Sequence, residues 1–184
     1  LCKKLTTPDA SGNYLRLGQA LKEAKNENAT GINQLCFSLL GDPALPLHMP
    51  ASGLVLDSLN RKPIALYADT LKALSRVKLK GHSPEALNTD IWFSIYDKEQ
   101  KLATLGNGGE TPFQYFDRTA RLVHARLDGS SGSFGAEFIL PKDVLPAYGS
   151  GLMTYWSYPS ESGIRSRAGY FDRFVLGGLD ATQV

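Results

Sequence analysis

Ser133-Phe134-Gly135-Ala136-Glu137-Phe138-Ile139-Leu140 is the stretch that sets the fold class. Phe134, Ala136, Phe138 and Leu140 alternate with Ser133, Gly135, Glu137 and Ile139, and a side-chain period of two belongs to a strand with one buried face. Pro141 then ends the strand, because proline has no N–H to give to a ladder. The same texture extends outward over the chain from about Ser52. Short alternating runs are separated by Gly, Pro, Asn and Asp at the intervals of an all-β sandwich. The predicted strands are Leu54–Leu59, Lys72–Lys80, Thr89–Tyr96, Lys101–Leu105, Gln114–Phe116, Leu122–Leu127, Gly132–Leu140, Gly151–Tyr158 and Gly169–Leu176. Asn107-Gly108-Gly109 and Asp128-Gly129-Ser130-Ser131-Gly132 read as hairpin-type turns. Residues 53–184 are therefore expected to form an Ig-like antiparallel β-sandwich, and the chain as a whole to be mainly β.

Residues 1–50 read differently. Tyr14, Leu17, Leu21 and Ala24 recur at helical spacing, with Arg16, Gln19, Lys22 and Glu23 on the other side. A helix is expected over Asn13–Asn26, capped at Ser11 or nearby, with Lys25 at the negative end of its dipole. Asn33–Pro50, NQLCFSLLGDPALPLHMP, follows. Its apolar run Leu35–Leu40 reads as a buried strand, stopped by Gly41-Asp42-Pro43 and resumed as a second short extended piece. A strand apolar on both faces belongs inside a larger covered sheet, which these fifty residues do not supply. The chain is thus expected to be an excerpt of a bigger protein. Pro50-Ala51-Ser52-Gly53 is expected to be a short linker between the two parts.

Composition narrows the function. Apolar residues make up 42% and charged residues 21%, the balance of a folded domain, and the net charge of +2 is spread along the chain. No cluster of Lys and Arg marks a nucleic-acid surface, and no apolar run reaches the roughly 18 residues of a bilayer-spanning helix. Neither a nucleic-acid partner nor a membrane-spanning segment is expected. Two cysteines, Cys2 and Cys36, are too few for a disulfide scaffold, although one bridge between them is conceivable.

The search for chemistry returns little. Cys36 pairs on paper with His48, His82 or His124, but among Leu35, Phe37 and Leu39 it reads as a desolvated core thiol rather than a nucleophile. The three His residues lack metal-ligand spacing, and His124 reads as a partly exposed strand residue. Asp97, Glu99, Asp172 and Asp180 lie near turns where calcium could bind. No D-x-D-x-D-G pattern accompanies them, so solvated turn residues are the better reading. Asp42 reads as a turn stabiliser, and Gly106-Asn107-Gly108-Gly109 lacks the lysine and helix of a phosphate loop. No cofactor or metal is expected. Aromatic residues are richer: Trp92, Phe93 and Tyr96; Tyr155, Trp156 and Tyr158; Tyr170, Phe171 and Phe174. One alternate set is expected to fill the core and the other to cover a neighbouring domain or, in a rival reading, to stack sugars.

An ordered series is more specific than any single motif. Leu17-Gly18-Gln19-Ala20-Leu21-Lys22-Glu23-Ala24-Lys25-Asn26, then Asn33, then Phe37-Ser38-Leu39-Leu40-Gly41-Asp42-Pro43-Ala44-Leu45-Pro46-Leu47 resembles the closing part of gingipain-type cysteine peptidase domains. Asp69-Thr70-Leu71-Lys72-Ala73-Leu74, Ser133–Asp143, Tyr148-Gly149, Ala168-Gly169-Tyr170 and Gly177-Gly178 resemble the region beyond that domain in the PorU-like sortases of the type IX secretion system. The resemblance implies that residues 1–50 are a helix and strand fragment of a caspase-like α/β peptidase domain, followed by the sandwich at 53–184. It implies a parent cysteine endopeptidase on the bacterial cell surface, at the extracellular face of the outer membrane. That parent would remove C-terminal signal domains from exported cargo and attach the cargo to anionic lipopolysaccharide, alongside other outer-membrane secretion components. Its Cys–His dyad would lie upstream of Leu1, so no residue here carries a catalytic role. The rival expectation is a surface β-sandwich binding or adhesion module, including a carbohydrate-binding one that uses Trp92 or Trp156.

Overall fold

The alternation at Ser133–Leu140 is realised. Phe134 and Leu140 are buried and Ala136 and Phe138 half-buried, while Ser133, Gly135, Glu137 and Ile139 face solvent. The computed structural model describes residues 1–9, 13–28, 31–32, 36–47, 49–83, 89–158 and 166–180. They separate into two units, Leu1–Met49 and Pro50–Val184.

The second unit runs through β1 (Ala51–Ser52), β2 (Val55–Leu59), β3 (Lys62–Pro63), a 3-10 turn at Ile64–Leu66, β4 (Thr70–Ala73), β5 (Arg76–His82), β6 (Thr89–Tyr96) and β7 (Gln100–Ala103). It continues with β8 (Gln114–Asp117), β9 (Arg121–Gly129), β10 (Ser133–Ile139), β11 (Gly149–Ser150), β12 (Leu152–Ser157), β13 (Arg167–Phe171) and β14 (Val175–Leu179). A five-stranded sheet has the order β1-β13-β12-β6-β9, and a four-stranded sheet the order β10-β5-β2-β3. A three-stranded sheet, β11-β14-β4, and the ribbon β7-β8 complete the set.

Sheet packs on sheet. The ring of Phe93 on β6 lies 5.8 Å from that of Phe138 on β10, and Tyr155 on β12 lies 5.9 Å from Phe134 on β10. Ile91, Ile95 and Met153 from one side join Leu56, Val77 and Leu79 from the other in a single buried cluster. Each fully buried side chain of this size contributes on the order of 1.5–3 kcal/mol. The unit is a β-sandwich.

Four features depart from the sequence reading. Lys72–Lys80 is two strands, because Leu74 takes a left-handed conformation (φ 65°) where the chain passes from β4 to β5. Leu74 N–H donates to Leu140 O and Leu140 N–H to Ser75 O, which fixes that corner. Gly169–Leu176 likewise divides between β13 and β14, in different sheets. Ala51–Ser52 is not a linker but an edge strand, parallel to Arg167–Ala168. That pairing and the β14–β4 pairing are parallel, so the sandwich is antiparallel only in part. Both join strands separated by long crossover connections, which parallel pairing requires. The turn at Ser131-Gly132 agrees with its reading: both residues have positive φ (51° and 76°) between the bridged Ser130 and Ser133, as a type I′ turn needs.

The first unit contains α1 (Cys2–Thr6) and α2 (Leu17–Asn28). Lys4 of α1 binds Glu27 at 2.6 Å and Glu23 at 3.2 Å, and these two carboxylates, Glu27 foremost, hold its ammonium above the usual lysine value. The larger helix starts four residues later than its periodicity suggests. Asp9 and Asn13 instead close a loop, with Asn13 N–H on Asp9 Oδ1 and Asp9 N–H on Asn13 O. Ser11, the expected cap, lies outside the described residues.

The helix is capped from further along the chain: Leu17 N–H donates to Leu45 O at 3.0 Å and Gly18 N–H to Pro43 O at 2.9 Å. The Gly41-Asp42-Pro43 turn therefore satisfies amides that every helix start leaves without partners. Asp42 braces it by accepting from Ala44 N–H at 2.8 Å, the turn-stabilising role read from the sequence. The predicted strand Leu35–Leu40 does not form over its described part, 36–40. Cys36 sits in a turn, its N–H on Ile32 O, and Phe37 and Leu40 are 68% and 97% exposed. A strand needs a neighbouring ladder, and residues 36–40 have none here.

The close approach of Pro43 gives Gly18 a reason. A Cβ there would lie 2.7 Å from Pro43 Cβ and 3.0 Å from Pro43 O. Alanine improves an open helix position by about 0.5–1 kcal/mol. Against a rigid proline, that gain is outweighed by overpacking of about 1–3 kcal/mol. Gly18→Ala is expected to lower helicity by circular dichroism and to speed hydrogen exchange at Leu17 and residue 18. Increased helicity would show that the cap is not formed.

Candidate functional site

The outer face of the five-stranded sheet is the candidate site. On β6, Ile91, Phe93 and Ile95 point inward, so Asp90, Trp92, Ser94 and Tyr96 point out. On β12, Met153 and Tyr155 are buried, which turns Leu152, Thr154 and Trp156 outward. The register aligns Ala168, Trp156, Trp92 and Arg126 in one row across β13, β12, β6 and β9. The next row is Tyr170, Thr154, Ser94 and His124.

Rings fill this face. Trp92 stacks on Trp156 at 6.2 Å between centroids and 19° between planes. Its other face stacks on His124 at 5.4 Å and 17°. His124 Nδ1 lies 2.9 Å from Ser94 Oγ, which fixes the imidazole. Arg126 Nη2 lies 2.7 Å from Asp90 Oδ2 at the side of the stack. Trp156 is 44% exposed, and Tyr158 and Tyr170 are each 69% exposed. The split of the aromatic residues into two sets is thus realised: Phe93, Tyr155, Phe171 and Phe174 are core, while Tyr96 is half-buried beside the exposed rings.

The other candidates do not converge. Cys36 is a free, exposed thiol rather than a core one, because the strand meant to bury it is absent. The conceivable bridge to Cys2 falls on a side chain outside those described. His48 lies outside the described residues. His82, exposed on β5, bonds Asp57 on β2 at 2.7 Å, and His124 belongs to the ring stack.

The four turn carboxylates scatter. Glu99 pairs with Arg118 at 3.4 Å. Asp172 is exposed, and Asp180 anchors its N–H on Ala73 O. No three metal-ligating side chains gather among the described residues. Gly106–Gly109 closes a turn through Gly109 N–H on Gly106 O. The ribbon that it ends exposes Phe113 and Phe116, at 68% and 67%.

Asp97 is the fourth carboxylate, and it is fully buried rather than solvated. Its Oδ1 accepts from Lys98 Nζ at 2.6 Å and Lys98 N–H at 2.8 Å, and Oδ2 from Leu145 N–H at 2.9 Å. Burial pushes its carboxyl up, but these donors outweigh burial and hold it below the usual carboxylate range. Lys98 Nζ also donates to Leu145 O at 3.0 Å. Arg118 Nη1 donates to Asp97 O at 3.1 Å and Ser150 O at 2.7 Å. All these groups are satisfied by one another, so the cluster is a tie between loops rather than a reactive centre. Nothing in the residue pattern singles out Lys98, since Asp-Lys after a strand is also the composition of a solvated turn.

No family model and no curated protein matches the chain. Among solved structures, the chain is similar to Spo0M, a sporulation control protein from Bacillus subtilis. The identity is 13% and the TM-score 0.45, over 71% of this chain and 51% of that one. It is also similar to PapD-like domain 7 of human CEP192, at 12% identity and TM-score 0.28, over 78% of this chain and 94% of that one. The matched part spans about half the length of Spo0M.

Proposed function

We propose that this chain is a non-catalytic portion of a cell-surface cysteine endopeptidase resembling the type IX secretion sortases. In this reading, residues 1–50 close the peptidase domain, and an Ig-like sandwich at 53–184 braces that domain or meets surface partners. The parent would cleave C-terminal signal domains from cargo and transfer the cargo to anionic lipopolysaccharide. Cys–His chemistry of that kind needs a thiol beside an imidazole, and the dyad would belong to the part of the peptidase domain preceding Leu1.

One observation carries the reading. Leu5, Leu17, Leu21, Ala24, Phe37 and Leu39 line a half-open, mainly apolar groove of about 540 Å³ in the first unit. Phe37 and Leu40 stand outside any core. Apolar side chains in this number are what a helix and the run after it would present to the remainder of a covered sheet. The ordered helix and GDPAL series supports the same assignment.

Cargo processing by the full-length protein tests it. Cys36→Ser is expected to leave processing within about twofold of the parent level, because this reading puts the dyad elsewhere in the peptidase domain and Cys36 is an exposed turn thiol with no hydrogen-bonded base among the described residues. A loss of about 100-fold or more would make Cys36 the nucleophile and overturn the non-catalytic reading. Replacing the strand-tip cysteine of the upstream domain should abolish processing. Normal processing in that variant would remove the peptidase assignment.

A further inference from the structure

We propose that the outer face of the five-stranded sheet is a saccharide-binding platform for uncharged hexose polymers, with Trp156 as its principal stacking residue. The proposal is independent of the peptidase reading and starts from the geometry of the ring stack. Trp92 has both faces occupied, by His124 and by Trp156. Trp156 has one face on Trp92, so its other face is turned towards β13. The residue that the register places beside it there is Ala168. Ala168 adds only a methyl group to that row, and among the described residues no second ring stacks on Trp156, which leaves a slot beside it.

The slot is the middle of a longer track. Tyr170 stands diagonally across from Trp156, about 7–8 Å away in such a sheet. Tyr158 lies just past the end of β12, two residues from Trp156 and at most about 7 Å further on. Thr89 Oγ1 holds the Tyr158 backbone by donating to its carbonyl at 3.2 Å. Three exposed rings at about that spacing can offer apolar faces to the C–H faces of successive sugar rings. Phenolic hydroxyls and Thr154 lie beside them for the sugar hydroxyls.

Charge selects the class of polymer. Among the described residues of β6 and β9, this face carries Asp90 and Asp128 against Arg121 and Arg126, and Arg126 is already held by Asp90. A polyanion such as nucleic acid or a sulfated glycan needs uncompensated cations, which this balance does not offer. Exposed Trp and Tyr also suit protein interfaces; the hydroxyls that flank these rings, rather than their apolarity, favour a saccharide.

The test is native electrophoresis of the full chain through gels containing laminarin, hydroxyethyl cellulose, mannan or galactomannan, with dextran sulfate as the anionic arm. At least one uncharged polymer is expected to retard the chain and shift its tryptophan emission. Trp156→Ala should weaken that retardation at least tenfold, the loss of about one stacking contact, with the melting temperature little changed. Ala168→Phe should do the same by filling the slot while keeping both tryptophans. Tyr170→Ala, at a 69% exposed position, should weaken it less. Three results overturn the proposal. They are no retardation by any uncharged polymer, retardation unchanged in Trp156→Ala and Tyr170→Ala, and retardation by dextran sulfate alone.

Discussion

Replacing Lys98 with Met is expected to lower the unfolding free energy by about 3–5 kcal/mol, the usual consequence of leaving one partner of a buried ion pair alone. The size follows from burial. Asp97 is fully buried, and the Lys98 side chain is 10% exposed. With the ammonium gone, the carboxylate keeps only two backbone donors, Lys98 N–H and Leu145 N–H. Leu145 O loses its donor as well. Asp97→Asn is nearly isosteric yet also harmful, because one amide position would turn a donor towards a backbone N–H. A double variant, Asp97→Leu with Lys98→Met, should cost less than the sum of the single changes, since no unpaired charge remains. Urea denaturation of the parent, Asp97→Leu, Lys98→Met and the double variant measures the coupling. A Lys98→Met variant within about 0.5 kcal/mol of the parent would mean that the pair is solvated.

The same carboxylate fixes the direction of the acid response. Its folded value lies below the ordinary one, so Asp97 binds a proton more readily in the unfolded chain. Its contribution is therefore fully present above the unfolded value near 3.9 and is lost as pH falls through the lower folded value. Stability of the parent should fall with acid across that window. In Asp97→Leu that part of the slope should be missing, and an unchanged slope would assign the acid response to other carboxylates.

How much of this was legible in the chain depends on where the deciding interaction lies. β6 and β10 were readable because burial on one face writes itself into every second residue, and β6 occurs at its expected bounds, Thr89–Tyr96. The corner at Leu74 was not, because a left-handed residue is normally signalled by Gly or Asn, and here two hydrogen bonds, Leu74 N–H to Leu140 O and Leu140 N–H to Ser75 O, hold leucine in it. Leu35–Leu40 was misread over its described part. Apolar composition proposes a strand, but only a neighbouring strand makes one. The candidate site was half legible. Its tryptophans stand out, whereas the residue that opens the slot, Ala168, is defined by its register with Trp156 and carries no chemistry of its own.

Phe93 and Trp156 put this division to the test, because both are large aromatic residues on neighbouring strands of one sheet and only their faces differ. Phe93 is 1% exposed and packs its ring 5.8 Å from Phe138 of the opposite sheet. Phe93→Ala removes a ring from the centre of the sandwich, where both sheets are held at fixed spacing and cannot close on the space. A loss of about 3–5 kcal/mol is expected, at the full cost of transfer plus cavity. Trp156→Ala, 44% exposed, removes a ring already in contact with water and should cost no more than about 1 kcal/mol. Thermal and urea unfolding of the two variants gives the comparison directly. Equal losses would place Trp156 in a structural role and withdraw it from the binding face. A small loss for Phe93→Ala would mean that the two sheets do not share the core described for them.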